Sequence, residues 1–208
     1  KSNMGIPNNI PCGNCMLIAV TQSNVWFIEE LFRHDDVKKY YVLRDDHAAN
    51  IRSFCQYIVN SNIQNASLNY IIFNDYGDEV GFISAEPVMN RATGMPMWNV
   101  GYAVHPAHRR KGYASSAVTG LSNYLLQNFS FQQVMLDICE ENIASTNVAK
   151  KCGFSKPDDR TGYFDMEHPE IGMRFRWFKQ LAGNRTVLFN QAVHFYRQKQ
   201  YAEAVDAF

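Results

Sequence analysis

Apolar residues recur along this chain with two different periods, and the exchange between them outlines an α/β protein. Residues 15–20 form an apolar run that predicts a first strand. Residues 25–32 and 47–59 have helical spacing, and in the second stretch Ile51, Phe54, Cys55, Ile58 and Val59 share one face. The runs 69–74 (NYIIFN) and 80–86 (VGFISAE) flank Asp75-Tyr76-Gly77-Asp78, a hairpin signal. Residues 88–96 read as a loop, and 97–104 as a further strand. From Gly112 a helix is expected to about Asn128, because Ala114, Ala117, Val118, Leu121 and Leu125 recur at helical intervals. A buried strand at 134–138 (VMLDI) and a helix at 145–151 follow, with Gly153 suited to the helix end. In 173–178, Met173, Phe175 and Trp177 alternate with Arg174 and Arg176, the mark of a half-buried strand. The expected fold is α/β with an antiparallel-rich sheet.

Composition narrows the partners. The chain has 208 residues, enough for one sizeable core and a small appendage. Its formal net charge is zero, so no global field draws it to nucleic acid or anionic lipid. No apolar run is long enough to span a bilayer and no signal peptide is recognised, so a cytoplasmic chain is expected. Lys1 is not an initiator methionine, which implies a trimmed chain or one that is part of a longer protein. The cysteines are Cys12, Cys15, Cys55, Cys139 and Cys152, an odd number that suits reduced thiols. Cys12 and Cys15 stand close enough for half a zinc site, yet no second ligand pair matches them, and no metal is expected. They read as surface thiols in a strand or turn.

The richest stretch for chemistry is 99–114, NVGYAVHPAHRRKGYA. An apolar strand carrying Val100, Tyr102 and Val104 runs through His105-Pro106 into a basic turn, Arg109-Arg110-Lys111-Gly112, which opens directly into a helix. Gly112 can adopt backbone angles closed to other residues. The first helical turn offers N–H groups without intrahelical acceptors, at the positive end of the dipole. This is a phosphate cradle. Neither the P-loop pattern nor the dinucleotide pattern G-x-G-x-x-G is met, because Gly112 is followed by Tyr113 and Ala114.

The segment Arg109-x-x-Gly112-x-Ala114 after such a strand resembles motif A of the GNAT superfamily of acyl-CoA-dependent N-acyltransferases. Downstream, Asn142-x-x-Ser145 followed by Gly153-Phe154 resembles motif B of the same family. Leu31-Phe32-Arg33-His34-Asp35-Asp36-Val37 is similar to the early helical region of the branch that acetylates ribosomal-protein N-termini (RimJ/RimL-like). The resemblance runs from Met16 to Leu181. It implies a mixed, mostly antiparallel sheet flanked by helices, with acetyl-CoA as co-substrate. It also implies that Tyr102, Ala103, Val104, Arg109, Arg110, Lys111, Gly112, Tyr113, Ala114, Asn142 and Ser145 bind it. The pantetheine arm would pair with Tyr102–Val104 as an added strand, and a backbone N–H near Ala103 or Val104 would face the thioester oxygen.

The chain departs from the family in its proton chemistry. Where the RimJ/RimL-like pattern has a Glu two residues before Gly101-Tyr102, this chain has Asn99, which is no base. Where another branch has a Tyr acid, it has Ala149. Ser145 is then the candidate to hold the thiolate proton. Glu140, Glu141, His105, Asp137 and a water are the candidate bases, with Glu140 carried forward as catalytic. Glu86, Glu140 and Glu141 are also the acids that would receive a cationic amine.

The tail differs in kind. Residues 190–208, NQAVHFYRQKQYAEAVDAF, resemble one tetratricopeptide repeat cut off within its second helix. Ala192, Phe195, Tyr201, Ala204 and Phe208 match its packing positions, although Lys199 stands where a small residue is usual. A single repeat cannot bury its own faces, so the tail implies a protein partner or a longer array. A helical hairpin packed on the preceding domain is the other reading. The expected division is 1–181 for the acetyltransferase domain and 182–208 for the tail. The expected function is transfer of an acetyl group to a primary amine: a protein N-terminus, a lysine or a small amine. Because Asn99 replaces the usual base, an acyl-CoA-binding regulatory module is the alternative.

Overall fold

The computed structural model describes residues 5–157 and 162–181. The tetratricopeptide-like segment and the boundary at 182 lie outside the described residues. The chain divides into two compact units, 1–87 with 99–124 and 88–98 with 125–208.

In the first unit the strands run in the order β1 (Asn9–Cys12), β2 (Cys15–Ala19), β3 (Leu68–Asn74), β4 (Glu79–Asn90) and β5 (Met95–Val104). The β1–β2, β2–β3 and β3–β4 pairs are antiparallel. Four helices lie between β2 and β3 in sequence: α1 (Trp26–Leu31), α2 (Asp35–Tyr40), α3 (Asp45–Ala49) and α4 (Ile51–Ile63). Phe32, Phe54, Ile58 and Val59 pack with Ile71, Phe82 and Ala103 of the sheet into one buried cluster. The rings of Phe32, Phe54 and Phe82 meet edge to face, with centroids 5.5 to 6.5 Å apart. Such pairs each add roughly 0.5–1.5 kcal/mol beyond the area they bury.

The helix expected over 47–59 is two helices. Asn50 adopts an extended conformation (φ −141°), ends α3, and accepts a hydrogen bond from Arg52 N at 3.2 Å to cap α4. Cys12 and Cys15 are not surface thiols. They face each other across the tight β1–β2 turn and are 3% and 4% exposed. All five cysteines are buried, and none of them forms a disulfide.

Helix α5 (Tyr113–Asn128) bears out the periodicity of its apolar face, with Ala117, Val118, Leu121 and Leu125 fully buried.

The second unit holds β6 (Gln133–Cys139), α6 (Ile143–Lys151), β7 (Tyr163–Phe164) and β8 (Met173–Gln180), with strand order β6-β8-β7. Both of its pairings are antiparallel. Gly153 ends α6 with φ 81°, and Phe154 N returns to Ala149 O at 2.9 Å. The loop expected over 88–96 is much shorter: β4 continues to Asn90 and β5 begins at Met95. Asn90 makes the reversal, receiving Ala92 N on its side chain and Gly94 N on its carbonyl. Pro87 is tolerated in β4 because it stands past Ala85, the last residue of β4 paired with β3. Among the described residues no helix is long and apolar enough to cross a membrane.

Candidate active site

The basic turn of the first unit is built by its backbone. Arg110 (φ 62°) and Gly112 (φ 80°) both adopt left-handed angles, which turn successive N–H groups toward one concavity. Arg110 takes this conformation without the freedom of glycine, so the turn holds local strain. Gly112 O accepts from Ser116 N at 3.0 Å, which starts α5, and the N–H groups before it point along the dipole. Space above Gly112 is open: a Cβ there would find only Asn14 Nδ2, at 3.8 Å. The turn thus leaves room for a ligand to approach the backbone at Gly112.

Two contacts hold this turn. Asn14 Nδ2 donates to Lys111 O at 3.0 Å, tying the β1–β2 turn to it. Arg109 is drawn backward: Nε donates to Val104 O at 3.3 Å and its guanidinium pairs with Asp36 at 3.5 Å. Arg109 thus fastens the turn to the end of β5, while Arg110 and Lys111 stay exposed. Upstream, Gly81 lets β4 approach β5, since a Cβ on it would stand 2.6 Å from Ala103 O.

His105 ends β5 and caps a 3-10 turn at Pro106–His108, its Nδ1 accepting from Ala107 N at 3.1 Å. Its ring stacks edge to face on His34, centroids 4.6 Å apart. Burial, then the neighbouring His34 and His108, push its pKa down.

A cleft of about 150 Å³ lies in the same unit. Tyr41, His47, Phe54 and Tyr57 wall it, and Ser84 and Glu86 line it from β4. Tyr41 O–H and Ser84 Oγ are 3.1 Å apart, and the Tyr41 ring covers Gly101, whose Cβ would meet it at 3.2 Å. Burial pushes the Tyr41 pKa well up. Glu86 keeps contact with solvent, yet desolvation raises its pKa while a hydrogen bond with the Asn99 side chain opposes the rise. Sequence reasoning missed Tyr41 and Ser84. The available signal was the alternation Phe82, Ser84, Glu86 on β4, which puts all three on the sheet face beneath α4.

In the second unit, Asn142 and Ser145 come together as the N-terminal cap of α6. Asn142 Oδ1 accepts from Ser145 N at 3.2 Å, and its Nδ2 donates to Ser145 Oγ at 3.1 Å. Ser145 accepts that bond, so its own hydrogen points away from Asn142, within the first turn of the helix. Glu140 and Glu141 are exposed on the preceding turn. Asp137 is engaged on both oxygens, by Arg174 Nε at 3.2 Å and by the Tyr163 hydroxyl, which removes it from the candidate bases. Burial of the Tyr163 hydroxyl, and after it the Asp137 charge, raise the Tyr163 pKa to about 12. Among the described residues no cluster of His, Cys, Asp or Glu could hold a metal ion.

Residues 17–155 match the family model of the acetyltransferase (GNAT) domain. No curated protein sequence matches the chain. Three solved structures share its fold. The ribosomal-protein-S5-alanine acetyltransferase of Vibrio fischeri aligns with a TM-score of 0.68 at 13% identity, covering 84% of this chain and 97% of that one. A GNAT acetyltransferase of Bacillus anthracis aligns at 0.64 and 19% identity, covering 83% and 98%. The spermidine N-acetyltransferase of Vibrio cholerae, solved with CoA and spermine, aligns at 0.63 and 15% identity, covering 81% and 96%. With that domain match spanning most of the described residues, the chain belongs to the GNAT acetyltransferases and draws its acetyl group from acetyl-CoA.

Proposed function

We propose that this acetyltransferase transfers its acetyl group to a primary amine by direct attack within a ternary complex, with no acyl-enzyme. Acetyl-CoA supplies the activated acetyl group. The observation that carries the proposal is the doubly left-handed turn at Arg110 and Gly112, open above Gly112 and leading straight into α5.

Each residue then has a task. The amides of Gly112, Tyr113 and Ala114 hold the diphosphate, and Arg110 and Lys111 add charge at its edge. Arg109 keeps the turn fastened to Val104 O. The backbone of Tyr102, Ala103 and Val104 pairs with the pantetheine arm, and an N–H of this segment donates to the thioester oxygen, worth about 3 kcal/mol in the transition state. Asn142 orients Ser145, whose hydroxyl delivers a proton to the departing thiolate. Glu140 and Glu141 contribute negative potential that favours a cationic acceptor.

For the acceptor we favour an amine that is protonated in solution. The aromatic and carboxylate lining of the Tyr41–Glu86 cleft supports that choice. The names of the structural neighbours support it too, since they include spermidine, ribosomal-protein and aminoglycoside acetyltransferases. A protein acceptor would engage the tetratricopeptide-like tail. Five cysteines outside any disulfide suit a reducing cytoplasm. The test is release of CoA thiol from acetyl-CoA, with spermidine, a peptide with a free N-terminus and an aminoglycoside as acceptors, and mass spectrometry of the product. An acetylated amine supports the proposal. Acetyl-CoA binding without transfer to any amine contradicts it and returns the chain to the binding-module alternative.

A further inference from the structure

The antiparallel ladder between β4 and β5 determines what stands beside Asn99. His105 N donates to Val80 O at 2.8 Å, and Gly81 lies against Ala103 and Val104. Phe82 and Ala103 share the core cluster on the face beneath α4. From there the same face advances two residues at a time on each strand. Ser84 falls opposite Gly101, and Tyr41 touches both, which verifies the register. One step further, Glu86 falls opposite Asn99, and the two side chains hydrogen-bond. A carboxylate is therefore present beside the position where the branch pattern has its Glu, but it projects from the neighbouring strand.

We infer that Glu86 is the general base of the transfer reaction, with Asn99 as the residue that positions it. This rests on the amine-acetylation proposal above. Glu86 lines the cleft from β4 and keeps contact with solvent, so it can both meet an ammonium group and release a proton to water. Asn99 donates an amide N–H to a carboxylate oxygen, which orients the carboxylate and leaves its other lone pairs for the substrate. Asn99 is unsuited to be the base and well suited to hold one.

Glu86 takes one proton from the ammonium group. The freed nitrogen lone pair forms the new N–C bond as the C–S bond breaks, and the bonding electrons leave on sulfur. The Ser145 hydroxyl gives its proton to that sulfur and is replenished by the second proton from nitrogen, and Glu86 returns its own to solvent. The net products are an acetamide, a free thiol and one proton.

The charged and titratable groups facing Glu86 are Tyr41 and Arg44 before α3, His47 on α3 and Tyr57 on α4. Arg44 is paired with Asp46, Nη2 to Oδ2 at 2.9 Å. Desolvation raises the Glu86 pKa and the Asn99 hydrogen bond opposes the rise, so the acid limb of the rate profile shifts upward from that of a free glutamate.

The experiment compares wild type, Glu86→Gln and the relocated pair Glu86→Gln with Asn99→Glu. Each is assayed by thiol release with spermidine, the free peptide and the aminoglycoside. Calorimetry reports acetyl-CoA affinity. Glu86→Gln is expected to lose about 100-fold in kcat and the acid limb of its pH profile, with acetyl-CoA affinity unchanged. The relocated pair is expected to regain at least tenfold of that loss, because the carboxylate returns to the same face one strand over. Glu86→Gln within about twofold of wild type overturns the assignment, as does a loss that Asn99→Glu does not recover. A wild-type protein inactive with every amine overturns the transferase reading and the base together. An active wild type with an unaffected Glu86→Gln overturns only the base.

Discussion

Cys12 sits in the notch that Gly120 leaves on α5: a Cβ on Gly120 would overlap Cys12 Sγ and stand 2.8 Å from its Cβ. The β1–β2 turn is thereby seated on the helix whose first turn we propose as the phosphate cradle. Gly120→Ala gains about 1 kcal/mol of helix propensity. It also forces a buried side chain out of its place, which costs roughly 1–3 kcal/mol. The overlap is with a Cβ as well as a Sγ, so the steric cost wins. The expected outcome is a melting temperature lower by a few degrees, partly restored by Cys12→Ala in the same protein. Thermal unfolding checks it.

Asn14 extends that contact to the cradle itself through its bond to Lys111 O. Asn14→Ala removes the tie without changing charge. Acetyl-CoA affinity is expected to fall about three- to tenfold, roughly the worth of one hydrogen bond, with the circular dichroism native. Calorimetry reads it, and an unchanged affinity would mean that the turn holds its shape unaided.

Ser145 and Asn142 can be separated. Ser145→Ala removes the hydroxyl proposed to deliver the thiolate proton, and kcat is expected to fall by about 10- to 100-fold, near the lower end for acid–base roles. The acetyl-CoA KM should stay within about threefold, and Ser145→Thr should restore part of the rate. Asn142→Ala removes the cap of α6 and is expected to cost about 1 kcal/mol of stability as well. Equal losses in kcat and stability for both variants would assign Ser145 to the cap alone.

His105 carries a pH signature. Its folded pKa lies below the ordinary 6.5, so the unfolded chain binds its proton more readily. Stability is therefore lost as pH falls below about 6.5 toward the folded value. Wild type should lose more melting temperature than His105→Gln between about pH 7.5 and pH 5.5. Parallel losses would remove His105 as the cause.

The parts of the fold that depend on local pattern were legible in the chain. The apolar stripe of α5, the turn at Asp75–Asp78 and the basic turn before Gly112 each follow from periods and turn residues close in sequence. The break at Asn50 was hidden because an Asn on the polar side of a helical run looks the same whether it continues a helix or caps one. The burial of Cys12 depends on Gly120, more than a hundred residues away. Glu86 was read only as one of several acids, because its place beside Asn99 is a matter of strand register, and register is set by pairing between segments.

In the proposed reaction the turn from Arg109 to Ala114 holds acetyl-CoA. Calorimetric titration of acetyl-CoA into wild type and Gly112→Asp tests it most directly. Aspartate at φ 80° adds backbone strain, a side chain and a negative charge where the diphosphate approaches. Wild type is expected to bind measurably and Gly112→Asp not at all, with the circular dichroism of the two proteins superimposable. Equal affinity in both would contradict it.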